Sequence, residues 1–204
     1  MSETKKIKKA GAFEIITHWA MAGSFFVLAL SGFAFVFHLR SVGGLFGGFQ
    51  EMRLWHNVCG LVFTTSLLLT AFSYLPVALA ITADDMKWLA ALGGYFSAGA
   101  KKQLPPQDRI NAGQKLYYLF VLIAGIIMAA SGIAMWLHPA VKIFVLLSFY
   151  AHNLAFDLLM ITVPLHIYLS TLANPGTLRI MLSGWVPIEW ARRKHAKWVQ
   201  TLGE

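Results

Sequence analysis

The chain of 204 residues has a single cysteine, Cys59, which excludes an internal disulfide and any thiolate metal cluster. It has no C-x-x-C-H segment, so a covalently attached c-type haem is excluded as well. Cys59 reads as a small packing residue. Charge is the other scarcity. Charged residues make up 13% of the chain against 57% hydrophobic ones, a balance outside that of soluble domains. No Asp, Glu, Lys or Arg lies between Glu14 and Arg40, from Leu54 to Ala83, or from Leu116 to Val141, and from Ile143 to Leu178 only Asp157 interrupts. Low-complexity tracts and internal repeats are also missing, which favours one domain over residues 1–204.

Each charge-poor run exceeds the ~20 residues that cross a bilayer as a helix. Lipid cannot satisfy open backbone groups, so these runs are read as helices. The expected fold is an all-α membrane protein, a four-helix transmembrane bundle with spans at about 13–37, 54–80, 115–137 and 144–173. A charged segment precedes the first span, but the apolar run is too long for a signal peptide and no cleavage site follows. That span is kept as a mature helix.

The net charge of +8 is mostly a topology signal. Lys5, Lys6, Lys8 and Lys9 precede span 1, five basic residues from Lys87 to Lys115 separate spans 2 and 3, and five from Arg179 to Lys197 follow span 4. Only Arg40, Arg53 and Lys142 fall on the opposite side. The positive-inside rule makes both termini cytoplasmic, in a bacterial inner membrane. Nucleic acid is not an expected partner, because no folded basic domain carries the charge.

The segment "DDMKWLAALGGYFSAGAKK" between spans 2 and 3 is expected to form an amphipathic surface helix broken at Gly93 and Gly94. The tail, residues 174–204, mixes Trp and Leu with basic residues. It is read as an amphipathic C-terminal tail helix lying on lipid headgroups or a partner subunit.

Histidines supply the chemistry. His152 and His166 are fourteen residues apart, so they share nearly one helical face about 21 Å apart along the axis. With the topology given, His18 lies at the depth of His166, and His56 at the depth of His152. Two such pairs, one per leaflet, point to bis-histidine ligation of two haem b groups. Interfacial histidines are the plain alternative. Zinc or copper would need a third ligand, and none is apparent near either pair. Gly60, Ala155, Gly32 and Gly132 are small residues that would admit a flat macrocycle. His38 ends span 1 on the outer side and could compete with His56 as a ligand, but its place just before Arg40 reads as headgroup level, and His138 and His195 read as surface residues. Asp157 points away from the histidine face, with a subunit contact and a protonated, hydrogen-bonded acid both open. Pro164 is expected to bend the last span before His166.

Five segments run almost end to end through a resemblance: "THWAMAGSFFVLALSGFAF", "LWHNVCGLVF", "NAGQKLYYLF", "AHNLAFDLLMITVPLHIYL" and "GWVPIEWARRKHAKW". With them the chain resembles the membrane cytochrome b (gamma) subunit of respiratory formate dehydrogenases, in the cytochrome b561-like group. The resemblance implies that His56 and His152 ligate an outer haem and His18 and His166 an inner one. It implies a quinone site, for menaquinone or ubiquinone, lined by Asn111, Gly113 and His166, with Gln114 and Lys115 as neighbours. Asn111 is also read as a helix N-cap. The implied partners are an iron–sulfur (beta) subunit, a molybdenum or tungsten catalytic (alpha) subunit that holds the formate site, and membrane lipid. A trimer of heterotrimers is a further possibility. Glu14 stands where family members often carry arginine nearby, and Asp157 and Pro164 are further departures. The cytochrome b subunit of a hydrogenase or thiosulfate reductase is the nearest alternative, and a non-redox anchor or metal transporter is a distant one.

Overall fold

The computed structural model describes residues 5–95, 104–137 and 141–203. Lys101, Lys102 and His138 lie outside the described residues. Four long helices carry the charge-poor runs, α1 (Ala12–Val36), α3 (Phe49–Leu79), α5 (Ala112–Leu137) and α6 (Lys142–Ser170), all long and apolar enough to span a bilayer. The span now assigned to α3 begins five residues before its expected start. Glu51 and Arg53 end a charge-free run but do not end a helix, since outside the hydrocarbon both are good helix residues. A short helix, α2 (Arg40–Leu45), precedes it in the glycine-rich connection. α6 continues as one helix through Pro164.

Neighbouring spans pack as α1 on α3, α3 on α5 and α5 on α6. Lipid tails are as apolar as leucine, so close approach of small residues must hold such helices together. On α1, Thr17, Ser24 and Ser31 recur every seven residues and all are buried. Each hydroxyl donates to the carbonyl four residues earlier, at 2.8, 2.7 and 2.7 Å, so no polar hydrogen is left facing hydrocarbon. Phe63, Leu67, Val121, Leu122, Ala124 and Leu159 form the core between α3, α5 and α6. Gly125 leaves the room that the Leu67 and Phe63 side chains occupy.

The tail is not one helix. It folds as α7 (Leu178–Ser183), β2 (Trp185–Pro187), α8 (Ile188–Lys194) and α9 (Ala196–Thr201), and β2 pairs antiparallel with an N-terminal strand, β1 (Lys6–Lys8). Ile7 and Val186 face inward from this ribbon onto Ile180, Ile188, Trp190 and Trp198. The result is a cap with its own core at the end of the bundle that bears both termini. Gly184 ends α7 at φ 79°, with the Ala10 carbonyl where a β-carbon would stand, so glycine is required there. The loop after α3 joins the cap through α4 (Ala83–Ala90), shorter than the expected surface helix and followed by one 3-10 turn through Gly93 and Gly94.

His195 is a second correction. It is 2% exposed rather than on the surface, and its Nδ1 lies 2.6 Å from the Asp108 carbonyl. Burial, then the positive charge of Lys9, pushes its pKa down to about 3. Burial, then the Arg109 charge, lowers the Lys9 pKa to about 7. The folded cap therefore binds fewer protons than the unfolded one between about pH 3 and 6.5 at His195. Its stability falls as pH drops through that window, by up to several kcal/mol. Lys9 adds a gain only as pH rises above about 7. Amide protection factors over residues 185–203, taken against the intrinsic rate at each pH, should fall between neutral pH and pH 4, and His195→Gln should flatten that dependence.

Candidate functional site

The bundle brings the four span histidines together in two pairs. At the end near the cap, His18 of α1 faces His166 of α6 with ring centres 6.5 Å apart. Toward the other end, His56 of α3 faces His152 of α6 at 6.4 Å. The fourteen-residue spacing on α6 sets the two levels about 21 Å apart. α5 repeats that register antiparallel to it. Tyr117 stacks flat on His166, at 4.7 Å and 8°, and Ser131, fourteen residues on, reaches His152.

Hydrogen bonding fixes the outer rings. The Ser31 oxygen lies 2.7 Å from His56 Nδ1 and 2.7 Å from the Val27 carbonyl of its own helix, so with its hydrogen on that carbonyl it accepts from the ring. The Ser131 hydroxyl donates to Ile127 and accepts from His152 Nδ1 at 3.0 Å, a hydrogen that the Met128 carbonyl shares at 3.1 Å. With each Nδ1–H a donor, the Nε2 lone pair of each outer ring is left free to bind a metal ion. The inner rings differ. His18 Nδ1 is buried without a partner, the only such side-chain atom among the described residues. No described group hydrogen-bonds His166, which is held by its Tyr117 stack.

The small residues are placed differently from the macrocycle-approach reading. A β-carbon on Gly132 would stand 3.3 Å from the His152 ring, so that glycine makes room for the histidine itself. Gly32 faces Phe156, and Gly60 faces Leu28. Ala155 is buried, and His38 is exposed just past α1 at φ 53°. Asp157 sits on the exposed side of α6, with no hydrogen bond or ion pair among the described residues.

At the start of α5, Asn111 and Gln114 form a reciprocal cap. Asn111 Oδ1 accepts from Gln114 N, and Gln114 Oε1 accepts from Asn111 N, both at 2.9 Å. Ala112 N–H is taken by Gln107 Oε1 at 2.8 Å. The Gly113 N–H is the donor of this turn left without a described partner, and the indole rim of Trp88 would meet a β-carbon there at 3.0 Å. Tyr117, one helical turn after Gly113, links this terminus to His166. Lys115 turns away, bonded to Asp85 and the Ala80 carbonyl, each at 2.8 Å. Glu14 stays at the cap, accepting from Gly11 N at 2.6 Å and pairing with Arg109 at 2.5 Å.

Residues 9–184 match the prokaryotic cytochrome b561 family. The chain belongs to that family. It is 29% identical over 207 residues to the formate dehydrogenase cytochrome b556(fdo) subunit of Escherichia coli K12, covering 99% of this chain and 96% of that one. It is 24% identical to the nitrate-inducible cytochrome b556(Fdn) subunit of the same strain, over 99% and 94% of the two chains. A cytochrome b556 subunit of formate dehydrogenase from Haemophilus influenzae is 24% identical over 90% of this chain and 78% of that one.

Membership in the cytochrome b561 family implies haem b, and the histidine geometry fits it. Two imidazoles bonded to one metal ion from opposite sides, about 2 Å each, place their ring centres roughly 6 Å apart. Both pairs meet that spacing, and both outer rings are held in the metal-binding tautomer. A multi-ligand metal centre does not fit, since the described residues hold no cluster of three or more His, Cys, Asp or Glu.

Proposed function

We propose that this protein is the membrane-anchoring cytochrome b subunit of a formate dehydrogenase, with two haem b groups and a quinone site. The observation that carries the reading is the pair of facing histidines at each of two depths. His56 and His152 would hold the outer group, and His18 and His166 the inner one. When bound, haem b supplies a one-electron iron couple at each level, through which electrons from a partner's iron–sulfur subunit reach quinone at the cytoplasmic face.

The chain's own residues orient and exclude. Ser31, Ser131 and the Met128 carbonyl hold the outer rings by their Nδ1 hydrogens. Phe25, Phe33 and Phe63 fill the space between the helices near the two levels. At the inner end the free Gly113 N–H, the uncommitted Nδ2 of Asn111 and the exposed edge of His166 present donors to a quinone carbonyl. Gln114 keeps the α5 terminus in its capped form. Formate would be oxidised on the molybdenum or tungsten subunit, with this chain as the quinone-reducing part. The charge asymmetry supports an inner-membrane orientation with both termini cytoplasmic, and the cap then lies on the side that supplies protons.

The test is haem content and the reduced-minus-oxidised spectrum of the purified chain, followed by formate-dependent quinone reduction by the complex purified with its partners. Two b-type groups per chain and turnover with formate support the reading. A colourless protein overturns it, and turnover with hydrogen in place of formate assigns the chain to a hydrogenase.

A further inference from the structure

The two histidine pairs are not equivalent. Both outer rings donate Nδ1–H to a fixed acceptor, Ser31 at 2.7 Å and Ser131 at 3.0 Å with the Met128 carbonyl beside it. Neither inner ring does, for His18 Nδ1 is buried without a partner and His166 has only the Tyr117 stack. An imidazole that gives a hydrogen bond from the far nitrogen is a stronger donor to its metal ion. Stronger donation favours the oxidised, more positive iron and lowers its reduction potential. We propose that Ser31 and Ser131 hold the outer iron at a lower potential than the inner one, so that each electron moves downhill from the outer level to the inner. This rests on the di-haem reading and adds to it a cause of direction built into α1 and α5.

The serines suit this role because a carbonyl of their own helix stands within reach of each hydroxyl, Val27 for Ser31 and Ile127 for Ser131. With the hydrogen placed there, the oxygen accepts from the histidine. A serine that instead donated to an unprotonated Nδ1 would leave Nε2 carrying the hydrogen and closed to a metal ion. Ser31 and Ser131 are positioning residues, since each acts through a ring. The step carries one electron from the outer iron to the inner with no proton moved. The electron comes from the partner's iron–sulfur centre and ends on quinone, which takes two electrons and two protons to quinol.

The experiment is a spectroelectrochemical titration of the full haem-loaded chain, stripped of quinone, for the parent and for Ser31→Ala, Ser131→Ala and Ser31→Thr. His56→Ala identifies the outer component by its loss. The parent should show two b-type components with the outer one lower. Ser31→Ala should raise the outer midpoint and leave the inner where it was. Ser131→Ala should raise it less, because the Met128 carbonyl remains as an acceptor, and Ser31→Thr should restore the parent value. Low-spin ferric electron paramagnetic resonance of the outer component should shift in the same order, and this readout needs only partial loading should Ser31→Ala bind haem weakly. An outer component higher than the inner, an unmoved outer midpoint, or equal movement of both components would each overturn the proposal. If His56→Ala and His166→Ala fail to remove separate components, the di-haem reading itself has failed. If they succeed and the serine variants move nothing, only the assignment to the serines falls.

Discussion

If the proposed di-haem reading holds, His56→Ala is expected to bind one haem in place of two, and His166→Ala to bind one haem of the other kind. Each substitution removes an imidazole from a pair whose ring centres stand 6.4 or 6.5 Å apart. Among the described residues no group of three or more His, Cys, Asp or Glu stands there to offer a ready substitute. One lost axial ligand leaves an open site in an apolar bundle, and the affinity falls by far more than the 10–100-fold that outer-shell changes cost. Quinone reduction with formate should then fall at least 100-fold in both variants, because the two levels act in series. Optical spectra at low temperature and haem extraction check this. A two-haem His56→Ala protein would show that His56 is not a ligand, and His38, just past the end of α1 toward that end of the bundle, would be the next residue to test. The bundle itself should survive, for the outer pair contributes little to the core of Phe63, Leu67, Leu122 and Leu159.

The four spans and the two histidine levels were legible in the sequence for one reason. Both are matters of counting along helices that lipid makes obligatory. Charge-free length gives the span, and fourteen residues at 1.5 Å each give the spacing of His152 and His166. What could not be counted was missed. The cap depends on Ile7 meeting Val186 and on His195 meeting Asp108, contacts between segments far apart in the chain that involve elements of only three to seven residues. No periodicity survives in segments so short, and "RRKHAKW" reads as exposed because its neighbours are basic. Burial of His195 is completed by Lys9 and Asp108, which arrive from elsewhere in the chain and close over it beside the neighbouring Trp190 and Trp198. Ser31 and Ser131, which stand beside Gly32 and Gly132, do not announce their contacts in the sequence either. The one trace is that Ser131 follows Tyr117 by the same fourteen residues that separate the histidines of α6. Gly132 was read as space for a cofactor, whereas it holds the space of the His152 ring.

Removing the carboxylate of Asp85 is expected to cost about 3–5 kcal/mol in the hold of α4 on the bundle, as for other buried pairs broken from one side. Asp85 and Lys115 are 4% and 5% exposed and meet at 2.8 Å. Burial works against the charge of Asp85, but bonds from Lys115 and from Thr82, its own N-cap, hold its carboxyl below the usual range. Lys115 in turn donates to the Ala80 carbonyl just after α3. One ammonium thus ties the end of α3, the start of α4 and the first turn of α5. In Asp85→Ala it would stand in the interior with only a carbonyl to answer it. The effect should reach the proposed quinone site, because α4 is what carries Trp88 onto Gly113. Amide exchange over residues 83–95 should rise, and the KM for quinone should rise about tenfold while both haem spectra stay as in the parent. The paired change Asp85→Leu with Lys115→Met separates charge from geometry. It removes both ions, fills similar volume and should recover most of the stability. If the double variant also restores the quinone KM, the ion pair acts only by placing Trp88. If stability returns and the KM does not, Lys115 has a part at the site that its position beneath α4 conceals.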